Sequence, residues 1–137
     1  MEKAINTITA AIGAIIGFAF GQVNGLLIAL VGLMCIDYIT GIAKGYINKN
    51  LSSGIGYKGI IKKIVILMLV SVAHLIDAYV LGGNKAVLMT ATMMFYAGNE
   101  GISIIENAVE IGLPVPQKLK KALKQIAEES ENDKKEE

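Results

Sequence analysis

Asp37, Thr40, Gly41 and Lys44 occur at i, i+3, i+4 and i+7 within the stretch LIALVGLMCIDYITGIAKGY, residues 27–46. On a helix that spacing places all four on one face. A face of this kind can line water, carry a coupled ion or proton, or bond a neighbouring helix. The surrounding segment is apolar, and an ionised Asp near the centre of a membrane helix costs about 2.5–3.5 kcal/mol on insertion scales. Asp37 must therefore face protein or water. Two readings stay open: a pore-lining or assembly carboxylate, and a structural carboxylate bonded to another helix. Gly41 leaves space beside it, and Lys44 can extend toward an interface.

A second polar face lies in NEGISIIENAVEIG, residues 99–112. At helical spacing Asn99, Glu100, Ser103, Glu106, Asn107 and Glu110 share a stripe about 120° wide, and Ile102, Ile105, Val109 and their apolar neighbours fill the rest. This face could line water, turn toward a basic partner, or simply be solvated. Paired carboxylates suit acid–base catalysis, but no nucleophile, metal set or phosphate loop accompanies them. The glycine-rich SSGIGYKG lacks the strand, spacing and terminal GKS/T of a P-loop. His74 and Asp77 stand at i, i+3, too few ligands for zinc. They read as a proton-sensitive pair or as polar groups facing another helix or the outer interface. No cofactor is expected. The net charge of +1 and the absence of arginine argue against nucleic acid.

The elements that position these faces are membrane helices. Of the 137 residues, 53% are apolar and 18% charged, and residues 4–36 carry no charged side chain. A soluble domain has about 25% charged residues. Four apolar segments are expected to form spans, at about 4–21, 26–43, 64–81 and 86–105. Each approaches the roughly 20 residues that cross a bilayer core. The first is the weakest, because Thr7, Thr9 and several glycines interrupt it; it could lie in the interface or turn back. Lys3 before an apolar run resembles a signal peptide, but FGQVNG offers no small-x-small cleavage site, so this segment is expected to be retained. The expected fold is all-α: an integral membrane protein of three to four transmembrane helices with a cytoplasmic amphipathic C-terminal helix.

Gly13, Gly17, Gly21 and Gly25 recur at a spacing of four, a small-residue row suited to close helix packing within or between chains. Lys44, Lys49, Lys58, Lys62 and Lys63 fill the 44–63 loop without an acidic residue. Lys118, Lys120, Lys121 and Lys124 follow the last span. The positive-inside rule puts both clusters in the cytoplasm, with Lys58, Lys62, Lys63 and the C-terminal lysines at the membrane surface. GLPVP, with Pro114 and Pro116, ends the fourth helix. The membrane domain then covers residues 1–113. A lysine-flanked amphipathic helix over 114–127, with Leu119, Leu123 and Ile126 on its apolar stripe, suits an anionic leaflet. The charged tail 128–137 reads as disordered. Cys35 lies in an apolar segment and reads as a packing residue.

These blocks together resemble the holins of Gram-positive phages and clostridial toxin loci. The matching residues are Asp37, Thr40, Gly41 and Lys44; then Ser52, Ser53, Gly56, Gly59, Lys62 and Lys63; then Asn99, Glu100, Ser103, Glu106, Asn107, Gly112, Pro114, Pro116 and Leu119. The resemblance covers roughly residues 26–126 and leaves the glycine row outside. It implies a non-enzymatic protein of the bacterial cytoplasmic membrane that forms homo-oligomers and opens a timed lesion. An endolysin or a large toxin then crosses as cargo. Two other classes compete. One is a small ion- or proton-coupled transporter or channel subunit using Asp37, Asp77 or Glu100, although the two halves of the chain show no repeated pattern. The other is a membrane-bound assembly factor acting through its C-terminal helix.

Overall fold

The computed structural model of the protein describes residues 1–132 except Leu51 and Asn84, and these form helices joined by short turns. Helix α1 spans Glu2–Phe20, α2 Gly25–Ile47, α3 Ser53–Leu75, α4 Val87–Glu110 and α5 Gln117–Asn132. A π-helical turn, Ile76–Val80, continues α3.

Local chemistry sets the boundaries. α1 ends at Gly21, whose φ of +65° a side chain would resist. α2 starts at Asn24, whose side chain accepts a hydrogen bond from the Leu27 N–H at 2.9 Å. α4 ends in a Schellman turn: the Gly112 N–H donates to Val109 O and the Leu113 N–H to Ala108 O, with Gly112 at φ +95°. Pro114 and Pro116 then prevent continuation, and α5 begins directly after Pro116.

α1 is one unbroken helix, about 28 Å long at 1.5 Å per residue. Thr7 and Thr9 do not interrupt it, because their hydroxyls donate to the carbonyls of Lys3 and Ile5 within the helix. Three helices are long and apolar enough to cross a membrane: Glu2–Phe20, Gly25–Ile47 and Gly56–Val80. The segment expected to be weakest is therefore among them, and α4, expected as a fourth span, is not. Its C-terminal half carries Glu100, Glu106 and Glu110.

Other boundaries also differ from expectation. Most of the expected lysine loop is helical, since α3 starts at Ser53. Gly56 and Gly59, which suggest a loop, are seats for Tyr38 of α2: a Cβ at either would lie 3.5–3.7 Å from its ring or hydroxyl. α5 runs past 127 to Asn132, so residues 128–132 of the expected disordered tail are helical. Residues 133–137 lie outside the described residues. The glycine row is not one ridge either. Gly21 and Gly25 flank the turn between α1 and α2, and Gly13, Gly17 and Gly25 have nothing within 4 Å of where a Cβ would stand.

α2, α3 and α4 form the core. Leu27, Leu30 and Met34 of α2 pack with Ile66, Val70 and Ala73 of α3 and Met89 and Met93 of α4. On α2 and α3 the spacing alternates three and four, which keeps one seam of each helix facing the others. α4 packs most extensively on α2, then on α5 and α3. α1 meets α3 and, through Phe18 against Tyr79, the π-helical turn that continues it, and its residues 2–18 are exposed. The outer faces are apolar as well: Ile28, Ile39, Ile64, Met68 and Val72 are exposed. Apolar residues outside as well as inside describe a bundle made for lipid.

Candidate functional site

Toward the C-terminal ends of α2 and α4 the core seam changes chemistry. Asp37 follows Met34 on α2, Lys63 precedes Ile66 on α3, and Glu100 lies about two turns beyond Met93 on α4. The Lys63 ammonium donates to Asp37 Oδ2 at 2.7 Å and to Glu100 Oε2. The side chains are only 15%, 16% and 6% exposed for Lys63, Asp37 and Glu100. A single cation thus ties three helices together where solvent screening is weak.

Asn107 extends this clasp. Its Nδ2 lies 3.2 Å from Asp37 Oδ1 and 3.1 Å from Thr40 Oγ1. The Thr40 hydroxyl donates in turn to Asp37 O at 3.0 Å. Gly41 faces the same amide, with its Cβ position 3.7 Å from Asn107 Nδ2. Further along, Lys44 and Glu110 meet at 3.5 Å at the exposed end of the seam. A cleft of about 320 Å³ opens beside these groups, walled by Gly41, Gly45, Gly56 and Gly59 and lined also by Tyr38 and Ser103.

The two polar faces read from the sequence therefore meet each other. Asp37, Thr40, Gly41 and Lys44 on α2 stand against Glu100, Asn107 and Glu110 on α4, and Ser103 lines the cleft between them. Asn99 is half-buried, and Glu106 is exposed on another side of α4. Of the two readings of Asp37, the carboxylate bonded to neighbouring helices describes this monomer. The acidic face of α4 does meet a basic partner, supplied by the same chain.

Lys63 is the main displacement from expectation. Lys58 and Lys62 are exposed, but Lys63, placed with them at the membrane surface, turns inward. A signal for this exists. Gly59, Lys63, Ile66, Val70, Ala73 and Asp77 alternate at four and three, so Lys63 belongs to the inward seam of α3. Lys118, Lys121 and Lys124 are exposed and Lys120 is half-buried. The glycine row takes no part in the clasp.

His74 and Asp77 go to different neighbours. The His74 ring lies against Gly21, where a Cβ would come within 2.7 Å of it. Asp77, 2% exposed, accepts from the N–H groups of Leu88 at 3.1 Å and Met89 at 2.8 Å. It caps α4 from across the preceding turn, and its charge suits the positive end of the helix dipole.

The chemistry here is that of a clasp. Each charged group is engaged by another side chain, and no trio of His, Cys, Asp or Glu able to hold a metal converges among the described residues. Residues 14–128 match the bacteriophage holin family. The chain belongs to that family. The match begins inside α1, so it includes part of the helix that the motif resemblance left out. Among relatives, the chain is 40% identical to a probable holin of Bacillus phage phi105 over 118 residues, covering 86% of this chain and 84% of the phage protein. It is 41% identical to an uncharacterised 14.9 kDa protein of Clostridium perfringens over 129 residues, 92% of this chain and 97% of that one. An uncharacterised Listeria monocytogenes protein is 45% identical over 121 residues, 88% of this chain and 84% of its own length. No solved structure matches significantly. In this holin-family chain the clasp joins residues from all three blocks of the motif resemblance: Asp37 and Thr40, Lys63, and Glu100 and Asn107.

Proposed function

We propose that this holin-family protein acts as a holin. It assembles as a homo-oligomer in the bacterial cytoplasmic membrane and opens a lesion through which an endolysin or a large toxin passes. It carries out no enzymatic step itself and needs no cofactor. Its lysine-rich 44–63 segment and its C-terminus face the cytoplasm.

The observation that carries this reading is the Lys63 clasp. Its charges lie among membrane helices and are satisfied inside one chain. Ionised groups in a bilayer must face protein or water. The same groups can serve the closed monomer as internal partners and an assembled lesion as a wetted lining, so clasp opening is a two-state element of the kind a timed trigger requires. The loosely attached α1, none of whose residues is buried, is free to pack on other chains.

Inducible expression in a bacterial host, with membrane potential recorded and an endolysin co-expressed, tests the reading. Abrupt growth arrest, collapse of the potential and endolysin release are expected together. Normal growth with unchanged potential, at an expression level verified in membranes, overturns it.

A further inference from the structure

The expected surface helix α5 is docked instead on α4. Leu123 sits directly over Gly101, where a Cβ would stand 2.9 Å from its Cδ2. Gly101, which is buried, lets the two helices approach. Ile105 is 5% exposed yet lies outside the main core, one turn beyond Gly101 on the same helix.

This seat is incomplete for α5. Its apolar stripe is only half covered, since Leu119 and Ile126 remain 48% and 37% exposed. Residues 117–127 carry Lys118, Lys120, Lys121 and Lys124 and no acidic side chain. The seat also conflicts with a bilayer. Gly101 adjoins Glu100, so docked Leu123 is level with the Lys63 clasp, and Lys63 lies inside the apolar segment Gly56–Val80. With that segment fully inserted, Lys120 and Lys124 on either side of Leu123 would lie beside hydrocarbon, where ammonium groups are strongly disfavoured. An anionic bilayer surface removes the conflict. It takes up the rest of the apolar stripe and pairs with the lysines.

We propose that α5 is a strap with two seats, one on α4 at Gly101 and one on the anionic bilayer surface, and that leaving α4 lets α2–α4 insert to full depth. The strap rests on the proposed holin function only for its consequence, which is that undocking precedes lesion formation.

The test uses the full chain in lipid vesicles, with Cys35→Ser, Gly101→Cys and Leu123→Cys to lock α5 by a disulfide. Leu119→Trp adds a reporter to a protein that has no Trp. Brominated lipids quench a Trp that enters the bilayer. Under reduction, quenching should be several-fold stronger in vesicles containing phosphatidylglycerol than in phosphatidylcholine alone. Oxidation should remove that difference and reductant restore it. A second variant, Gly101→Leu with Leu119→Trp, fills the seat on α4 and leaves every other residue of α5 intact. It should strengthen quenching in anionic vesicles. Equal quenching in oxidised and reduced protein, equal quenching in both lipids, or failure of the disulfide to form overturns the strap. Dye release from the same vesicles reports on the lesion separately. Its absence in every state counts against the holin reading, while the Trp signal still decides the strap.

Discussion

Lys63 holds the arrangement together at the scale of single residues. Removing one partner of a buried ion pair leaves the others unpaired and costs about 3–5 kcal/mol, an upper range here because the groups retain some solvent contact. Lys63→Met should therefore destabilise the bundle strongly, while the exposed neighbour Lys62→Met should change stability by no more than about 0.5 kcal/mol. Adding Asp37→Asn and Glu100→Gln to Lys63→Met should recover most of the loss, because no charge then remains unpaired. Denaturant unfolding in mixed micelles measures all three. Equal stability of the two single variants would remove Lys63 from its place as the tie. Asp77 makes a separate prediction. Asp77→Ala should cost about 1–2 kcal/mol, as the loss of a cap does, and should speed amide exchange at Leu88 and Met89 selectively. Asp77→Asn should fall between, since it keeps one acceptor oxygen. The need of Asp37 for a partner was legible in the sequence, because an ionised group in an apolar helix must find one. Which lysine answers it was less so, since Lys63 stands in a run with Lys62 and only the spacing of α3 separates them. The Asp77 cap was not legible. Capping signals are read next to a helix, and this one reaches Leu88 from 11 residues away.

Helices were more legible than their roles. Long uncharged runs mark membrane segments because lipid tolerates no unpaired backbone there, and all four apolar segments are helices. Their lengths and attachments depend on tertiary partners. Gly56 and Gly59 look like loop residues until Tyr38 is placed over them. The charged stretch after 127 stays helical as a continuation of α5. The glycine row shows the converse case, a strict local pattern that the turn at Gly21 divides. This division sharpens its test. A Cβ at Gly13 or Gly17 would meet nothing within 4 Å, so Gly13→Leu with Gly17→Leu starts from open space and improves helix propensity. The monomer should be no less stable, while crosslinked oligomers decrease. Unchanged oligomers would mean that this face of α1 meets only lipid. Gly21 is the wrong site for the experiment, because a side chain at φ +65° against His74 would strain the turn.

For the whole molecule, the clasp relates the ends of the helices to the two sides of a membrane. The bonds from Asp37 and Thr40 to Asn107 and from Lys44 to Glu110 advance together along both helices, so α2 and α4 are parallel. α3 returns between them. The turn after α2 and the turn after α4 must then lie at one end of the bundle, and the turn around Lys85 at the other, whatever the depth of α4. If α1 crosses, its first residues join the α2–α3 turn, and if it does not, they join Lys85. Single cysteines in a Cys35→Ser background separate these cases. Lys49→Cys and Lys118→Cys should react with an impermeant maleimide from the same side of right-side-out or inverted vesicles, and Lys85→Cys from the opposite side. Glu2→Cys should label with Lys49→Cys, because α1 is an unbroken apolar helix about 28 Å long whose threonines are satisfied internally. Labelling of Glu2→Cys with Lys85→Cys would make α1 an interfacial helix. It would leave α2 and α3, joined through Lys63, as the described helices long and apolar enough to cross.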